Sequence, residues 1–221
     1  MNIYLKTLLI TVFVFGAGLL LGLYIERFFV SDLLSRTTNI ENSVKEIELE
    51  MLYFQGLNES YSCSFLNEII KKTNNNLDTL ANLLLSYSEK NILFTREEVK
   101  SIKQTYTYLL LKDWLLQESI KKTCGTKTVT ILYFYSTEGC DDCITQGNVL
   151  TVLKNDFKEK VMVFPLDIEI DIGMVNILMS NFNITSMPAL VIDGDVYPGI
   201  TGKLHLKEIV CSKVSDPLCA S

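Results

Sequence analysis

Two cysteines separated by two residues, Cys140 and Cys143, are the part of this sequence best suited to chemistry. A CxxC pair can close into a disulfide and open into two thiols, so it can exchange electron pairs with other cysteines. Residues 129–135, just before the pair, are β-branched and aromatic, which predicts a buried strand. Residues 144–157, just after it, have helical spacing. We therefore expect the pair at a helix N-terminus, where free N–H groups favour the thiolate of Cys140.

The four residues of the motif have different expected roles. Cys140 is predicted to be the attacking thiol, because it is the more exposed of the two, and Cys143 the resolving thiol. Asp141 and Asp142 would tune the couple, since their charges oppose a thiolate and raise the pKa of Cys140. The helix dipole acts in the other direction, by less than about 1 kcal/mol at an exposed site. A destabilised thiolate favours the disulfide form, so the balance predicts a more reducing couple.

The elements predicted after the motif follow the order of a known family. A strand at 161–167 and a helix at 171–182 are followed by the proline-containing segment 183–194. Residues 197–210 then have the character of a last strand, a glycine and a closing helix. With the CxxC pair, this order resembles the thioredoxin superfamily over about residues 126–212. The resemblance implies an α/β thioredoxin-like domain with a mixed central sheet flanked by helices.

The resemblance also implies roles for residues outside the motif. Met187-Pro188 would form a cis peptide lying against the CxxC pair, with Met187 backbone groups available to a substrate strand. Two positions depart from the family. Gly139 replaces the tryptophan before the first cysteine, and Phe134 stands six positions before Cys140, where thioredoxins have a buried aspartate that helps deprotonate the second cysteine. These departures indicate a slow, partner-specific oxidoreductase or a domain that has lost turnover.

An apolar segment lies near the N-terminus. Residues 7–24 carry no charged side chain, and the apolar stretch 3–25 reaches the roughly 20 residues that a membrane-spanning helix needs. A cleaved signal peptide is the alternative, but no A-x-A-like cleavage site follows the run. The sequence therefore predicts an uncleaved transmembrane anchor within residues 1–27. The flanking charges are nearly balanced and do not decide its orientation.

The chain contains six cysteines, which fall into three natural pairs. An even number at such spacings is typical of an oxidising compartment, so residues 28–221 are predicted to be extracytoplasmic. Beside the CxxC pair, we expect structural disulfides Cys63–Cys124, at the ends of two predicted helices, and Cys211–Cys219, which would clip the tail to the last helix. Two unpaired buried cysteines and a second redox pair are the respective alternatives.

The region between the anchor and the CxxC domain is predicted to be helical. Residues 28–124 contain no proline and a single glycine, Gly56. A heptad-like pattern over residues 33–54 is suited either to a coiled-coil homodimer or to packing against neighbouring helices. Two more helices would follow as a hairpin. The predicted regions are a membrane anchor (1–27), a helical stalk or hairpin (28–125) and a thioredoxin-like domain with its C-terminal clip (126–221).

Composition excludes several classes of function. The chain has 221 residues, of which 48% are hydrophobic, so it can bury a core. A net charge of −6 argues against nucleic-acid binding, which needs a basic face. His205 is the single histidine, which disfavours a mixed Cys/His zinc site and a Ser-His-Asp hydrolase. No metal or organic cofactor is implied.

These observations predict a membrane-anchored, extracytoplasmic thiol–disulfide oxidoreductase that acts on protein cysteines through Cys140 and Cys143. The alternative is a non-catalytic thioredoxin-fold binding or scaffold module. In that case Cys140–Cys143 is a permanent structural disulfide, and Met187-Pro188 serves peptide binding only. A metal–thiolate site at the CxxC pair is a third reading, but the sequence offers it no further nearby ligands.

Overall fold

The computed structural model of the protein describes residue 4, residues 6–24, residues 45 and 49, residues 62–90 and residues 96–219. The chain divides into two compact units, Met1–Glu46 and Ile47–Ser221. All six apolar positions of the heptad-like pattern lie outside the described residues. The homodimer contact proposed for that pattern therefore stays a prediction.

The first unit contains helix α1, Lys6–Tyr24. Its 19 residues are long and apolar enough to cross a membrane. Side chains such as Phe13 and Phe15 are largely exposed, at 77% and 72%. A signal sequence near the N-terminus has the same length and composition, so the helix is a candidate membrane span. The helix does not by itself indicate its orientation. Residues 1–3, 5 and 25–27 of the predicted anchor lie outside the described residues.

The second unit combines a pair of long helices with an α/β domain. Its elements are α2 (Ser62–Lys90), α3 (Arg96–Cys124), β1 (Val129–Tyr135), α4 (Asp141–Phe157), β2 (Val161–Asp167), α5 (Gly173–Asn181), β3 (Ala189–Ile192), β4 (Asp195–Pro198) and α6 (Lys203–Lys213), with short 3₁₀ helices at Lys158–Lys160 and Pro217–Cys219. From β1 onward, the order is the β-α-β-α-β-β-α pattern expected from the sequence.

The four strands form one mixed sheet in the order β2-β1-β3-β4. β1 pairs in parallel with β2, and a parallel connection needs a crossover, which α4 supplies. β3 is antiparallel to both β1 and β4. Asp193 and Gly194 join β3 to β4 with positive φ angles of 49° and 96°, as a tight hairpin turn requires. This topology confirms the predicted thioredoxin-like α/β fold.

Strand β1 is buried on both faces, which explains its unbroken apolar sequence. On one face, Ile131 and Tyr133 pack into a core that includes Leu153 of α4 and Leu206 of α6. The residues on the other face of β1 are also buried, and Phe134 among them has no exposed surface. The central strand therefore enters the CxxC loop from a rigid position.

Helices α2 and α3 form a hairpin whose open ends are joined by the Cys63–Cys124 disulfide. We call this disulfide and the buried residues packed beside it the hairpin base. Those buried residues are Leu66, Ile69, Leu116 and Ile120. Since the disulfide joins the start of α2 to the end of α3, it fixes the relative register of the two helices.

An ionic network attaches α3 to the sheet. Lys121 Nζ lies 2.7 Å from Asp193 Oδ1 and 2.7 Å from Glu118 Oε1. The Thr130 hydroxyl donates to Glu118 at 2.6 Å, and the Thr130 backbone N–H donates to Asp193 at 3.0 Å. These contacts hold the end of α3 against the sheet, and the helical pair and the α/β domain belong to one compact unit. The sequence did not reveal this, because Lys121 and Asp193 are 72 positions apart. The domain boundary at residue 125 stays a prediction.

The C-terminal tail is attached to α6 by the Cys211–Cys219 disulfide. Lys160 reinforces the attachment, because its Nζ lies 2.9 Å from Asp216 Oδ2 and donates to the Ser215 carbonyl at 2.8 Å. The tail thus has both a covalent and an ionic connection to the domain.

Candidate active site

The CxxC pair lies where the chain leaves the central strand and enters helix α4. β1 ends at Tyr135, and Gly139 turns the loop with a φ of +66°, a conformation that glycine adopts without steric cost. Cys140 is the N-cap of α4, and its Sγ accepts a hydrogen bond from the Cys143 N–H at 3.2 Å. The Cys140 sulfur therefore sits among the free N–H groups of the helix start.

The two cysteines form a disulfide in the structure and differ in accessibility. Cys143 is 3% exposed, whereas Cys140 is only half-buried. A sulfur atom arriving from solvent therefore meets Cys140 first. Asp141 and Asp142 are both exposed on the first turn of α4, a position where negative charge interacts favourably with the helix dipole.

The side chain that reaches the buried cysteine is Tyr133, which the sequence analysis did not select. Its hydroxyl donates a hydrogen bond to the Cys143 backbone carbonyl at 2.5 Å. Phe134, the position identified by counting back from Cys140, alternates to the opposite face of β1 and is fully buried there. Because side chains alternate along β1, Tyr133 lies on the face that α4 covers. That alternation is the sequence signal that could have identified it.

Two tyrosines in β1 and one carboxyl group in β2 occupy the end of the sheet nearest the motif. Burial raises the pKa of Tyr133 to about 12. Burial also raises the pKa of Tyr135, and the neighbouring Asp167 charge adds to this increase. Asp167 pairs with Tyr135 across the strands and is itself buried, which raises the pKa of its carboxyl group despite Lys103 Nζ at 3.8 Å. Both phenols therefore remain protonated near neutral pH.

A groove of about 440 Å³ opens beside the two cysteines. Tyr133 and Tyr135 form part of its wall, together with the loop after β1 and the first turns of α4. Ile144 also lines it and is 68% exposed, although it is a large apolar side chain. The groove thus combines apolar surface with access to the disulfide.

The Met187-Pro188 peptide is cis in the structure. The Pro188 carbonyl accepts a hydrogen bond from the Gly199 N–H at 2.8 Å. Ala189, the next residue, pairs with Phe134, which places Met187-Pro188 at the same end of the sheet as the CxxC loop. Met187 is half-buried, and the groove described above is lined by neither residue of this peptide. Substrate pairing by Met187 stays a prediction.

A second cavity of about 570 Å³ lies between the helical hairpin, α4 and the edge strand β2. Leu77, Leu110 and Leu150 contribute apolar walls, and Asp113 contributes a buried carboxyl group. Burial raises the pKa of Asp113 to about 6, against the opposing effects of a Gln117 hydrogen bond and the Lys154 charge. Tyr133 and Gly147 line both this cavity and the groove.

Metal-ligating residues do not gather in the described part of the chain. No group of three or more His, Cys, Asp or Glu side chains there is placed to hold a metal ion.

No family model matches the chain, and no curated protein sequence matches it. Among solved structures, chloroplastic thioredoxin z is 20% identical, with a TM-score of 0.35 over 43% of this chain and 86% of that one. A malarial protein is 16% identical, with a TM-score of 0.34 over 40% of this chain and 99% of that one. Similarities at this level carry no functional information, and the fold assignment rests on the strand order and connectivity.

Proposed function

We propose that the protein is a thiol–disulfide oxidoreductase that acts on protein cysteines through Cys140 and Cys143. The observation that carries this proposal is the asymmetry of the pair at the start of α4. One sulfur is accessible at the helix N-cap, and the other is buried one turn further on and bonded to it. This arrangement allows an external thiolate to attack one defined sulfur while the second acts as leaving group.

The exchange takes place in two balanced steps. A substrate thiolate attacks Cys140 Sγ, a new S–S bond forms, and the Cys140–Cys143 bond breaks with its electron pair leaving on Cys143 Sγ, which takes up a proton. A second substrate thiolate then attacks the substrate sulfur of this mixed disulfide and releases Cys140 as the thiolate. The substrate dithiol is thereby oxidised to a disulfide, and the CxxC disulfide is reduced to a dithiol. The reverse sequence reduces a substrate disulfide.

The surroundings of Cys143 favour a slow, partner-specific enzyme. Phe134 supplies no carboxylate, and the Tyr133 phenol stays protonated, so neither group accepts the Cys143 proton near neutral pH. Proton transfer to and from Cys143 then depends on water, on Glu138 or on an aspartate of the motif. Asp141 and Asp142 disfavour the Cys140 thiolate by their charge, which favours the closed disulfide and a reducing couple.

The proposal includes a membrane location. Helix α1 would anchor the protein, with residues 3–25 in the bilayer and residues 28–221 outside the cytoplasm, where protein thiols and disulfides are the substrates. Three closed disulfides in the described residues support an oxidising compartment for this part of the chain.

The redox proposal is tested on the full chain in detergent. The protein is equilibrated in dithiothreitol buffers of graded potential, and the reduced fraction of Cys140 and Cys143 is read by alkylation and mass spectrometry. The Cys143→Ala variant is then mixed with a disulfide-activated single-cysteine peptide. We expect reversible reduction without loss of the fold and a stable mixed disulfide at Cys140. The matched Cys140→Ala variant should trap little peptide, because Cys143 is buried.

A disulfide that opens only when the protein unfolds, with no peptide trapped on Cys140, would instead identify a binding module with a structural disulfide. Topology is tested separately by fusing alkaline phosphatase after Ser221, since this reporter folds only outside the cytoplasm. We expect an active fusion. An inactive phosphatase combined with an active cytoplasmic reporter at the same position would reverse the proposed orientation.

A further inference from the structure

The backbone of Cys143 is held on two sides. Its N–H donates to Cys140, both to Sγ and to the carbonyl, each at 3.2 Å. Its carbonyl accepts the hydroxyl of Tyr133 at 2.5 Å. The first contact lies within the motif itself, whereas the second connects the motif to the central strand β1. The bond to the Cys140 carbonyl and the bond from Tyr133 do not depend on the bonding state of the Cys140 sulfur, and of these two the Tyr133 bond is the one that ties the motif to another element.

The Tyr133 side chain is fixed in the orientation that makes this contact. Tyr133 is 5% exposed, and its ring stacks on the ring of Tyr135 with the two centroids 5.2 Å apart. Its other edge lies against α4 at Gly147, where an added Cβ would stand 3.8 Å from the ring and 3.9 Å from the hydroxyl. The phenol is therefore confined between strand and helix, with its hydroxyl directed at Cys143.

We propose that Tyr133 is a positioning residue that keeps Cys143 within reach of Cys140 while Cys140 is bonded to a substrate. This inference rests on the proposed function, because it concerns the closing step of that reaction. In the mixed disulfide, Cys140 Sγ is bonded to the substrate, so its hydrogen bond to Cys143 is altered. The Tyr133 contact remains and holds the first turn of α4 against β1.

The step affected is the return of the CxxC pair to its closed form. Cys143 loses its proton to water or to a nearby carboxylate, its thiolate attacks Cys140 Sγ, and the Cys140–substrate bond breaks with its electron pair leaving on the substrate sulfur. That sulfur then takes up a proton, so the substrate ends as a thiol and the CxxC pair as a disulfide. A less constrained Cys143 lowers the effective concentration of the attacking sulfur and slows this step.

Tyr133 acts here as a fixed donor and not as a proton acceptor. Burial alone accounts for the raised pKa of its phenol. The titratable and charged groups that share its two cavities come from α2, α3, β1 and α4. They are Asp78, Tyr106, Asp113, Tyr135, Asp141 and Lys154. Because the phenol keeps its proton, the effect of removing its hydroxyl should be constant from about pH 6 to about pH 9.

The test compares Tyr133→Phe with Tyr197→Phe in the full chain. Both variants remove one tyrosine hydroxyl from the α/β domain, but Tyr197 lies in β4, packs against the same core as Tyr133, and lines neither the groove nor the second cavity. The lifetime of the mixed disulfide with a single-cysteine peptide and the dithiothreitol equilibrium of the pair are measured for each. For Tyr133→Phe we expect about fivefold slower closure and a disulfide about fivefold less favoured, as for the loss of one buried hydrogen bond. Tyr197→Phe should match the wild type in both.

The outcomes separate this inference from the proposed function. A wild-type pair that exchanges reversibly, with unchanged closure in a folded Tyr133→Phe variant, overturns the role of Tyr133 alone. A variant effect that grows with pH also overturns it, because Tyr133 would then be a proton acceptor. A wild-type pair that does not exchange overturns the proposed function itself. If Tyr133→Phe does not fold, 3-fluorotyrosine at position 133, a stronger donor of the same shape, should accelerate closure, and slower or unchanged closure contradicts the proposal.

Discussion

The hairpin base and the start of α4 contain the same covalent bond in different settings. Cys63–Cys124 joins residues 61 positions apart, whereas Cys140–Cys143 joins residues 3 positions apart. In the loop-entropy description, closing the longer loop stabilises the fold by about 4 kcal/mol and closing the shorter one by about 1.5 kcal/mol. Opening the second disulfide therefore costs the fold much less.

The surroundings of the two bonds match this difference. At the hairpin base, both cysteines are half-buried, and Cys124 packs against the cluster of Leu66, Ile69, Leu116 and Ile120. At the start of α4, one sulfur is accessible beside a groove, and the backbone nearby is held by hydrogen bonds. The disulfide expected to stabilise the fold spans a long loop and packs against a buried cluster. The one suited to exchange spans a short loop at a helix end beside a groove.

The largest expected effect comes from removing the hairpin-base disulfide. In a Cys63→Ser, Cys124→Ser double variant, the free energy of unfolding should fall by about 4 kcal/mol, because the unfolded chain regains the freedom of the long loop. Urea denaturation of the full chain in detergent measures the change. The dithiothreitol equilibrium of Cys140–Cys143 should stay as in the wild type. A stability loss below about 1 kcal/mol would break the comparison.

The C-terminal disulfide provides an intermediate case. Cys211 and Cys219 are 8 positions apart, so a double serine variant should lose about 2.5 kcal/mol of unfolding free energy. The same denaturation experiment checks this value. Lys160 still holds the tail through Asp216 and Ser215, so the folded structure should be retained. A loss equal to that of the hairpin base would show that loop length does not govern these bonds.

The ionic network beside the hairpin base should contribute less to stability than the hairpin-base disulfide or the C-terminal disulfide. Burial alone would raise the pKa of Asp193, but hydrogen bonds from Lys121 and Thr130 outweigh it and lower the pKa. For Asp193→Asn, we expect a loss of about 2 kcal/mol near neutral pH, between the values for exposed and buried pairs. Urea denaturation over a pH series measures the loss.

The pH series also gives the sign of the Asp193 contribution. Because the folded-state pKa is lowered, the stabilisation is fully present above the unfolded pKa of about 3.9 and is lost as the pH falls through the folded value. The wild type and Asp193→Asn should therefore converge in acid. Asp195→Asn is the matched control, since its side chain is 66% exposed, and it should change stability by less than about 0.5 kcal/mol. Curves that stay parallel at all pH values would exclude the ionic role.

The smallest expected change in stability is at the start of α4. A Cys140→Ser, Cys143→Ser double variant should lose about 1.5 kcal/mol of unfolding free energy, because the closed loop is short. Its thiol–disulfide exchange should be lost completely, as measured by turnover of a disulfide-linked peptide. This combination, with little stability lost and all exchange lost, is the opposite of that expected for the hairpin base. Equal stability losses for the two pairs would make Cys140–Cys143 a structural bond.

The sequence predicted the local elements of the α/β domain well, because their signals are local. The β-branched run ending at Tyr135 and the proline at position 188 correspond to β1 and to the turn before β3. The packing of the helical hairpin on the sheet was not predicted. It depends on pairs such as Lys121 with Asp193, which are distant in the chain and have the appearance of ordinary surface charges.

The sequence predicted only part of the candidate site, and the reason is related. Cys140 and Cys143 are only three positions apart, so their spacing and the helical pattern after them indicate a disulfide at a helix start. Tyr133 is a site residue only because β1 alternates and α4 returns over its face, and counting back from the motif selected Phe134 instead. Sequence spacing identifies residues within one element, whereas contacts between elements require the fold.

The connectivity of the cysteines has a consequence for biosynthesis. The first cysteine is bonded to the second, the third to the fourth and the fifth to the sixth, in the pairs 63–124, 140–143 and 211–219. Six cysteines allow roughly 15 arrangements of three bonds. A polypeptide that emerges from its N-terminus presents each first cysteine with its native partner before any competitor. Oxidation in the order of synthesis would therefore yield the native set without rearrangement of wrongly paired bonds.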